Sequence, residues 1–291
     1  MLYKQNILLG AMLIICSELM FASMGAVVKH AAQTLPNEML VFMRNLMGML
    51  VMLPMILHRS VGSLKTQVPY LHLLRAIFGV SAMYCFFYAL GNLPLADGIL
   101  MKMTAPIFMP LVAWFWLRES STPWALAAIP VGFLGVALVL DPTGEASSVV
   151  LIGVLGGLFA AFAKVTVRRL GRTEPTVRTV FYFTVLGALV SLLPMLLVWR
   201  MPGPEEWGWL LAIGLFGSLG QLLLTRGYAV ASTSSVGPFT YFSVVFASIY
   251  GYLFWGETLD LMFVFGAAFI VLAGILAVRK GGTGSMIRVE S

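Results

Sequence analysis

Residues 95–119 read LADGILMKMTAPIFMPLVAWFWLRE. From Leu95 to Leu117 the only charged residues are Asp97 and Lys102, and the run closes on Arg118-Glu119-Ser120. A helix rises 1.5 Å per residue, so an apolar run of this length crosses a ~30 Å hydrocarbon core. Pro106 and Pro110 each remove a backbone hydrogen bond and kink a helix. Inside a membrane such freed carbonyls are tolerated where they face protein or a wet cavity. The stretch therefore reads as a kinked transmembrane helix that carries a lysine.

Working outward, comparable blocks cover 7–29, 37–57, 71–91, 122–140, 148–166, 177–199, 207–226, 233–254 and 259–279. With 95–117 they make about ten spans, the pattern of an all-α polytopic membrane protein. Turn signals separate them, among them Leu35-Pro36-Asn37, Gly91-Asn92-Leu93-Pro94 and Met201-Pro202-Gly203-Pro204. The connections are short, so successive spans are expected to run antiparallel. Hydrophobic residues make up 60% of the chain and charged residues 10%, against about 25% charged in a soluble domain. That is too little charge to cover a water-exposed surface. Cys16 and Cys85 lie inside apolar blocks, so no structural disulfide is expected. No cleavable signal peptide is expected either, because the first block is as long as a full span.

The net charge of +6 has a topological source. With the N-terminus inside, the inner connections hold Lys4, Arg59, Lys65, Arg75, Arg118, Lys164, Arg168, Arg169, Arg172, Arg178, Arg226, Arg279, Lys280 and Arg288. The outer ones hold only Lys29 and Arg200, with acidic Asp141, Glu145, Glu205, Glu206, Glu257 and Asp260. This positive-inside asymmetry arises only for an even number of spans, which puts both termini in the cytoplasm. The run from Lys164 to Arg178 is read as part of that anchor and not as a nucleic-acid patch.

Two stretches share an order of elements. Tyr88-Ala89-Leu90, Ala96-Asp97-Gly98 and Arg118-Glu119-Ser120 are matched by Tyr228-Ala229-Val230, Ser235-Val236-Gly237 and Gly256-Glu257-Thr258. The match divides the chain into five-span halves at 1–141 and 148–280, followed by a cytoplasmic tail at 281–291. Five is odd, so the halves are expected to have opposite orientation. Inverted repeats are a common construction of secondary transporters, with the substrate site near the midplane between them.

An ionisable residue within a span costs several kcal/mol unless paired or wet, which makes it a functional candidate. Glu18 lies deep in the first span, Arg44 in the second and Lys102 in the fourth. Lys102 suits a carboxylate of the substrate, and Glu18 suits a substrate amine or a coupling proton. The alternative for Glu18 is a structural ion pair with Arg44 or Lys102. Tyr84 and Tyr88, four apart on one helix face, could line a cavity with Gln221, Tyr241 and Ser243. Gly153 with Gly157, and Gly214, Gly217 and Gly220, have the spacing of close helix packing. Motifs GxxxxGK[ST], HExxH, paired CxxC and GxSxG are absent from the sequence, which argues against an ATPase, a metalloenzyme or an intramembrane hydrolase.

The ten-span plan, the paired Glu119 and Glu257, and the Tyr-Ala turn before each resemble the drug/metabolite transporter superfamily, specifically its EamA-type exporters. Arg44 in Val41-Phe42-Met43-Arg44-Asn45, then Leu74-Arg75-Ala76 and Pro106, also fit that family's pattern. Ser17-Glu18-Leu19-Met20 departs from it, since a tryptophan-glycine type sequence often stands there. The resemblance implies an alternating-access carrier with a central cavity. It favours a structural role for Arg44, which the family carries regardless of substrate.

The expectation is thus a secondary transporter of the bacterial inner membrane, and not an enzyme. It would move a small charged metabolite, an amino acid or a relative of one, outward. The alternative is a proton-coupled exporter of hydrophobic cations. Expected partners are the metabolite and membrane lipid, with no nucleic acid and no cofactor. Coupling to protons or membrane potential, and assembly into a homo-oligomer, stay open.

Overall fold

The computed structural model describes residues 7–57, 65–117, 123–139, 146–171, 173–230 and 237–278. Lys4, Arg59, Arg118, Glu119, Asp141, Glu145, Arg172, Ser235, Arg279, Lys280, Arg288 and the tail 281–291 lie outside the described residues, as does the Arg168 side chain.

Among the described residues every regular element is helical. In chain order they are α1 (Ile7–Ala31), α2 (Asn37–Leu57), α3 (Pro69–Asn92), α4 (Leu95–Lys102), α5 (Ala105–Leu117), α6 (Pro123–Val139), α7 (Ala146–Leu170), α8 (Thr176–Leu197) and α9 (Pro204–Val230). A 3-10 turn (Gly237–Tyr241) then leads into α10 (Phe242–Trp255) and α11 (Leu261–Val278). Six stretches are long and apolar enough to cross a membrane: Leu8–Ala31, Pro69–Asn92, Leu95–Trp116, Ser148–Val167, Arg178–Leu197 and Pro204–Leu224. Ile129–Leu138, Phe239–Trp255 and Leu261–Ala273 are shorter apolar helices.

The outward surface suits lipid. Leu197 is 82% exposed, Leu261 75% and Phe115 73%, with Trp114 and Phe254 also facing outward. A water-soluble protein avoids so large an apolar surface. The interior is filled by Met39, Leu40, Leu90, Leu95, Leu100, Met101 and Leu210, all fully buried.

Helix pairing follows a regular scheme. The largest contacts are α1 with α9, α3 with α7 and α6 with α11; α2 packs on α8, and α4 on α10. The small residues mark where the backbones close in. A Cβ on Gly135 of α6 would lie 2.8 Å from the Gly266 carbonyl and the Ile270 nitrogen of α11. Gly153 faces Met101, Gly157 faces Thr104, and Gly214, Gly217 and Gly220 face Met47, Met24 and Phe21. The glycine spacing read from the sequence thus serves packing.

The stretch 95–117 is broken at Met103-Thr104, where Met103 and Thr104 donate to the carbonyls three residues back, Leu100 and Met101. The Thr104 hydroxyl also donates to the Met101 carbonyl, at 2.7 Å. Pro106 has no N–H to return to the Lys102 carbonyl, so α4 ends there. The other apolar stretch entered through a short turn is Phe239–Trp255, where the 3-10 turn containing Pro238 precedes α10. One span is thus broken inside the bundle, and another begins there in a 3-10 turn.

Candidate functional site

Glu18 lies eleven residues into α1, roughly 16 Å from its start, with its side chain 3% exposed. The opposing charge comes from the break in 95–117. Lys102 is the last residue of α4, where the negative end of the helix dipole favours a cation. Its ammonium stands 3.5 Å from Glu18 Oε2 and 4.5 Å from the centre of the Phe21 ring. Phe21 in turn rests on Gly220. Ser17 donates to the Gly220 carbonyl at 2.8 Å, so the α1–α9 contact fixes Glu18 in rotation.

A separation of 3.5 Å is at the outer limit of a direct hydrogen bond. An ammonium has three N–H groups, and at most one is engaged with Glu18. With its side chain 31% exposed, Lys102 keeps donors available. Ser243, the second residue of α10, is within hydrogen-bond reach of Glu18. Its single proton can go there or to the Thr240 carbonyl, which it meets at 2.8 Å. Glu18, Lys102 and Ser243 are therefore brought together by α1, the break after α4 and the start of α10.

The remaining candidates divide. Arg44 is buried but does not meet Glu18; it donates to Asn45 at 3.2 Å, and Asn45 donates to Ser191 of α8 at 3.4 Å. Arg75 lies beside Arg44, stacked 3.9 Å over Phe183. The Tyr84 hydroxyl is buried without a hydrogen-bond partner, on the side of Glu38 in the first turn of α2. Tyr88 is 40% exposed. Tyr241 is half-buried in the turn before α10 and packs on the core. Gln221 is half-buried and follows Gly220 on α9.

Two features escaped the sequence reading. Lys164, read as a loop anchor, lies six residues before the end of α7, within electrostatic range of Lys102 and Glu18. The span was drawn to end at 166, and the helix continues to Leu170. The second is a cluster at the far end of α1. Lys29 pairs with Glu257 Oε1 at 2.5 Å and donates to the Leu93 carbonyl at 2.6 Å. Glu257 Oε2 accepts from the Leu95 N–H at 2.7 Å. This latch joins α1, the α3–α4 turn and the end of α10. Nearby, Arg200 holds Glu206 and donates to the Thr34 carbonyl at 2.8 Å.

A helical bundle with an apolar outward surface and a charged pair held inside it has the architecture of a membrane transporter. More particularly, the chain belongs to the EamA-like transporter family, which it matches over residues 8–141 and again over 147–279. It is 33% identical over 273 residues to the pseudopaline exporter CntI of Pseudomonas aeruginosa, covering 93% of this chain and 96% of that one. It is 29% identical to a riboflavin transporter of Vibrio cholerae, over 93% of each chain. An S-adenosylmethionine uptake transporter of Rickettsia felis is 25% identical over 86% of this chain and 85% of its own. One crystal structure superposes with a TM-score of 0.65 at 20% identity, over 92% of this chain and 96% of that one, and shares the fold.

Proposed function

We propose that the chain is a secondary carrier of the bacterial inner membrane. It exports a small charged metabolite, an amino acid or a relative of one, by alternating access between two inverted five-span halves. The observation that carries this reading is the Glu18–Lys102 pair, apart by 3.5 Å at the centre of the bundle with Lys102 partly open. Such a pair offers an acceptor for a substrate amine and a donor for its carboxylate. The double family match and the pairing of helices support the two halves. Exchanging each span for its counterpart turns the α1–α9 contact into α7–α3, and leaves α2–α8, α4–α10 and α6–α11 unchanged. The outward direction rests on the named exporter among the relatives, beside others named for uptake.

In the described state the latch of Lys29 and Glu257 holds one end of the bundle shut, the outer end under the expected topology. Opening it while closing the opposite end is the step that substrate binding drives. The rival, a proton-coupled exporter of hydrophobic cations, is weakened by Lys102 and Lys164, which repel a cation beside Glu18.

A thermal-shift screen of the purified protein in detergent against cationic, zwitterionic and anionic metabolites tests the reading. A ligand at 100 times its dissociation constant stabilises by about 2.7 kcal/mol. Stabilisation by zwitterions or anions, lost in Lys102→Ala, is expected. Stabilisation by hydrophobic cations alone, lost in Glu18→Gln, would replace this reading with its rival.

A further inference from the structure

The charges around the central pair do not balance. Among the described residues, Glu18 is the one carboxylate that acts on Lys164, whereas Lys102 and Arg75 both act on it as cations, and Arg44 acts on Arg75 in turn. Among the described residues no carboxylate lies at ion-pair distance from Lys164, Arg75 or Arg44. The Arg75 Nε is buried without a hydrogen-bond partner. Lys164, by contrast, is exposed. That exposure is not to lipid. Ala161 and Gly157, one and two turns earlier on the same face of α7, lie against the Phe108–Val112 cluster and Thr104 respectively. Lys164 thus opens beside α5, within electrostatic range of Lys102, where uncompensated cations in a membrane require an anionic partner or water.

We propose that Lys164, backed by Arg75, is an anion subsite next to the Glu18–Lys102 pair. The substrate then carries a second acidic group besides the one that Lys102 takes: a small metabolite with at least two carboxylates. The substrate class rests on the carrier reading above; the anion subsite does not.

The test needs no natural substrate. In a Cys16→Ser/Cys85→Ser protein, Ala160→Cys places a reporter thiol one turn before Lys164. Its rates with an anionic sulfonatoethyl and a cationic trimethylammonioethyl methanethiosulfonate are measured in detergent and normalised to a free thiol. A focused positive field raises the local anion concentration on the order of tenfold or more. The anionic reagent is therefore expected to win by about that factor, with the preference kept in Lys164→Arg and Lys65→Gln and lost in Lys164→Gln. Citrate at fixed ionic strength is expected to raise the melting temperature of the cysteine-intact protein, and not that of its Lys164→Gln variant. No preference, a preference that survives Lys164→Gln, or no reaction with either reagent overturns the subsite. Should the anionic preference hold while the metabolite screen finds no ligand, the carrier reading falls and the subsite stands.

Discussion

Lys102 and Glu18 illustrate how much one position carries. Lys102→Ala leaves the Glu18 carboxylate buried without its counter-charge. Losing one partner of a fully buried pair costs about 3–5 kcal/mol. Because Lys102 is nearly a third exposed, a loss of roughly 1–3 kcal/mol is expected. Adding Glu18→Gln removes the stranded charge, so the double variant should recover most of its melting temperature and still show no flux in liposomes. Recovery of flux with stability would mean the pair is only a brace. Glu174, in the α7–α8 connection, gives a prediction of pH dependence. Burial works against its charge, but hydrogen bonds from Thr66 at 2.7 Å and Arg178 at 2.6 Å prevail and hold its carboxyl below the usual range. A lowered folded-state value stabilises the protein above the unfolded value of about 4.5. That contribution is lost as pH falls below it. Glu174→Gln should therefore lower the melting temperature at pH 7 and make little difference at pH 3. Glu18, Lys102 and Ser243 were legible in the sequence because charge and hydroxyl stand out in apolar runs. Arg44 was legible as buried, but its partner Asn45 was not, since a neighbour in sequence gives no periodicity signal.

At the scale of elements, the sequence marked the interrupted stretch 95–117 through Pro106 and Pro110. The break itself falls earlier, at Met103-Thr104, because Pro106 frees the carbonyl four residues back. The latch was invisible for a different reason. Lys29, the Leu93–Leu95 turn and Glu257 lie in three separate parts of the chain, and only the folded bundle brings them together. Its aim depends on Gly256, whose φ of 65° turns the chain after α10 so that Glu257 folds back under Gly251. A residue with a Cβ pays about 1–2 kcal/mol for that left-handed backbone. Glu257→Gln removes the charge, and Gly251→Val fills the space that the carboxylate occupies. Both should release the outer end. In a protein without native cysteines, a thiol at Ala26→Cys, buried three residues before Lys29, should react faster with an impermeant reagent added outside intact cells. The expected gain is tenfold or more, the factor that corresponds to about 1.4 kcal/mol of lost closure. Unchanged reactivity in both variants would show that the ion pair does not hold the bundle shut.

At the scale of the whole molecule the sequence carries two asymmetries: cations concentrated in alternate connections, and two stretches that repeat an order of motifs. The first was readable because topology is written in short connections, whose composition survives without knowledge of packing. The second was readable only as an order of motifs. The counterpart pairs α1–α9 and α3–α7 join residues far apart in the chain, and no local pattern foretells them. Ten spans and two cytoplasmic termini make one joint prediction. Alkaline phosphatase folds only outside the inner membrane, so fusions report the side of each junction. A fusion after Gly203, between α8 and α9, should be active; fusions after Gly171 and after Ser291 should be silent. Adding three lysines to the connection at 201–203 should weaken this pattern, because lysines and arginines in short connections set orientation. An active fusion after Ser291 would require an odd number of spans. The halves could not then both contain five, and the inverted-repeat mechanism would fall with them.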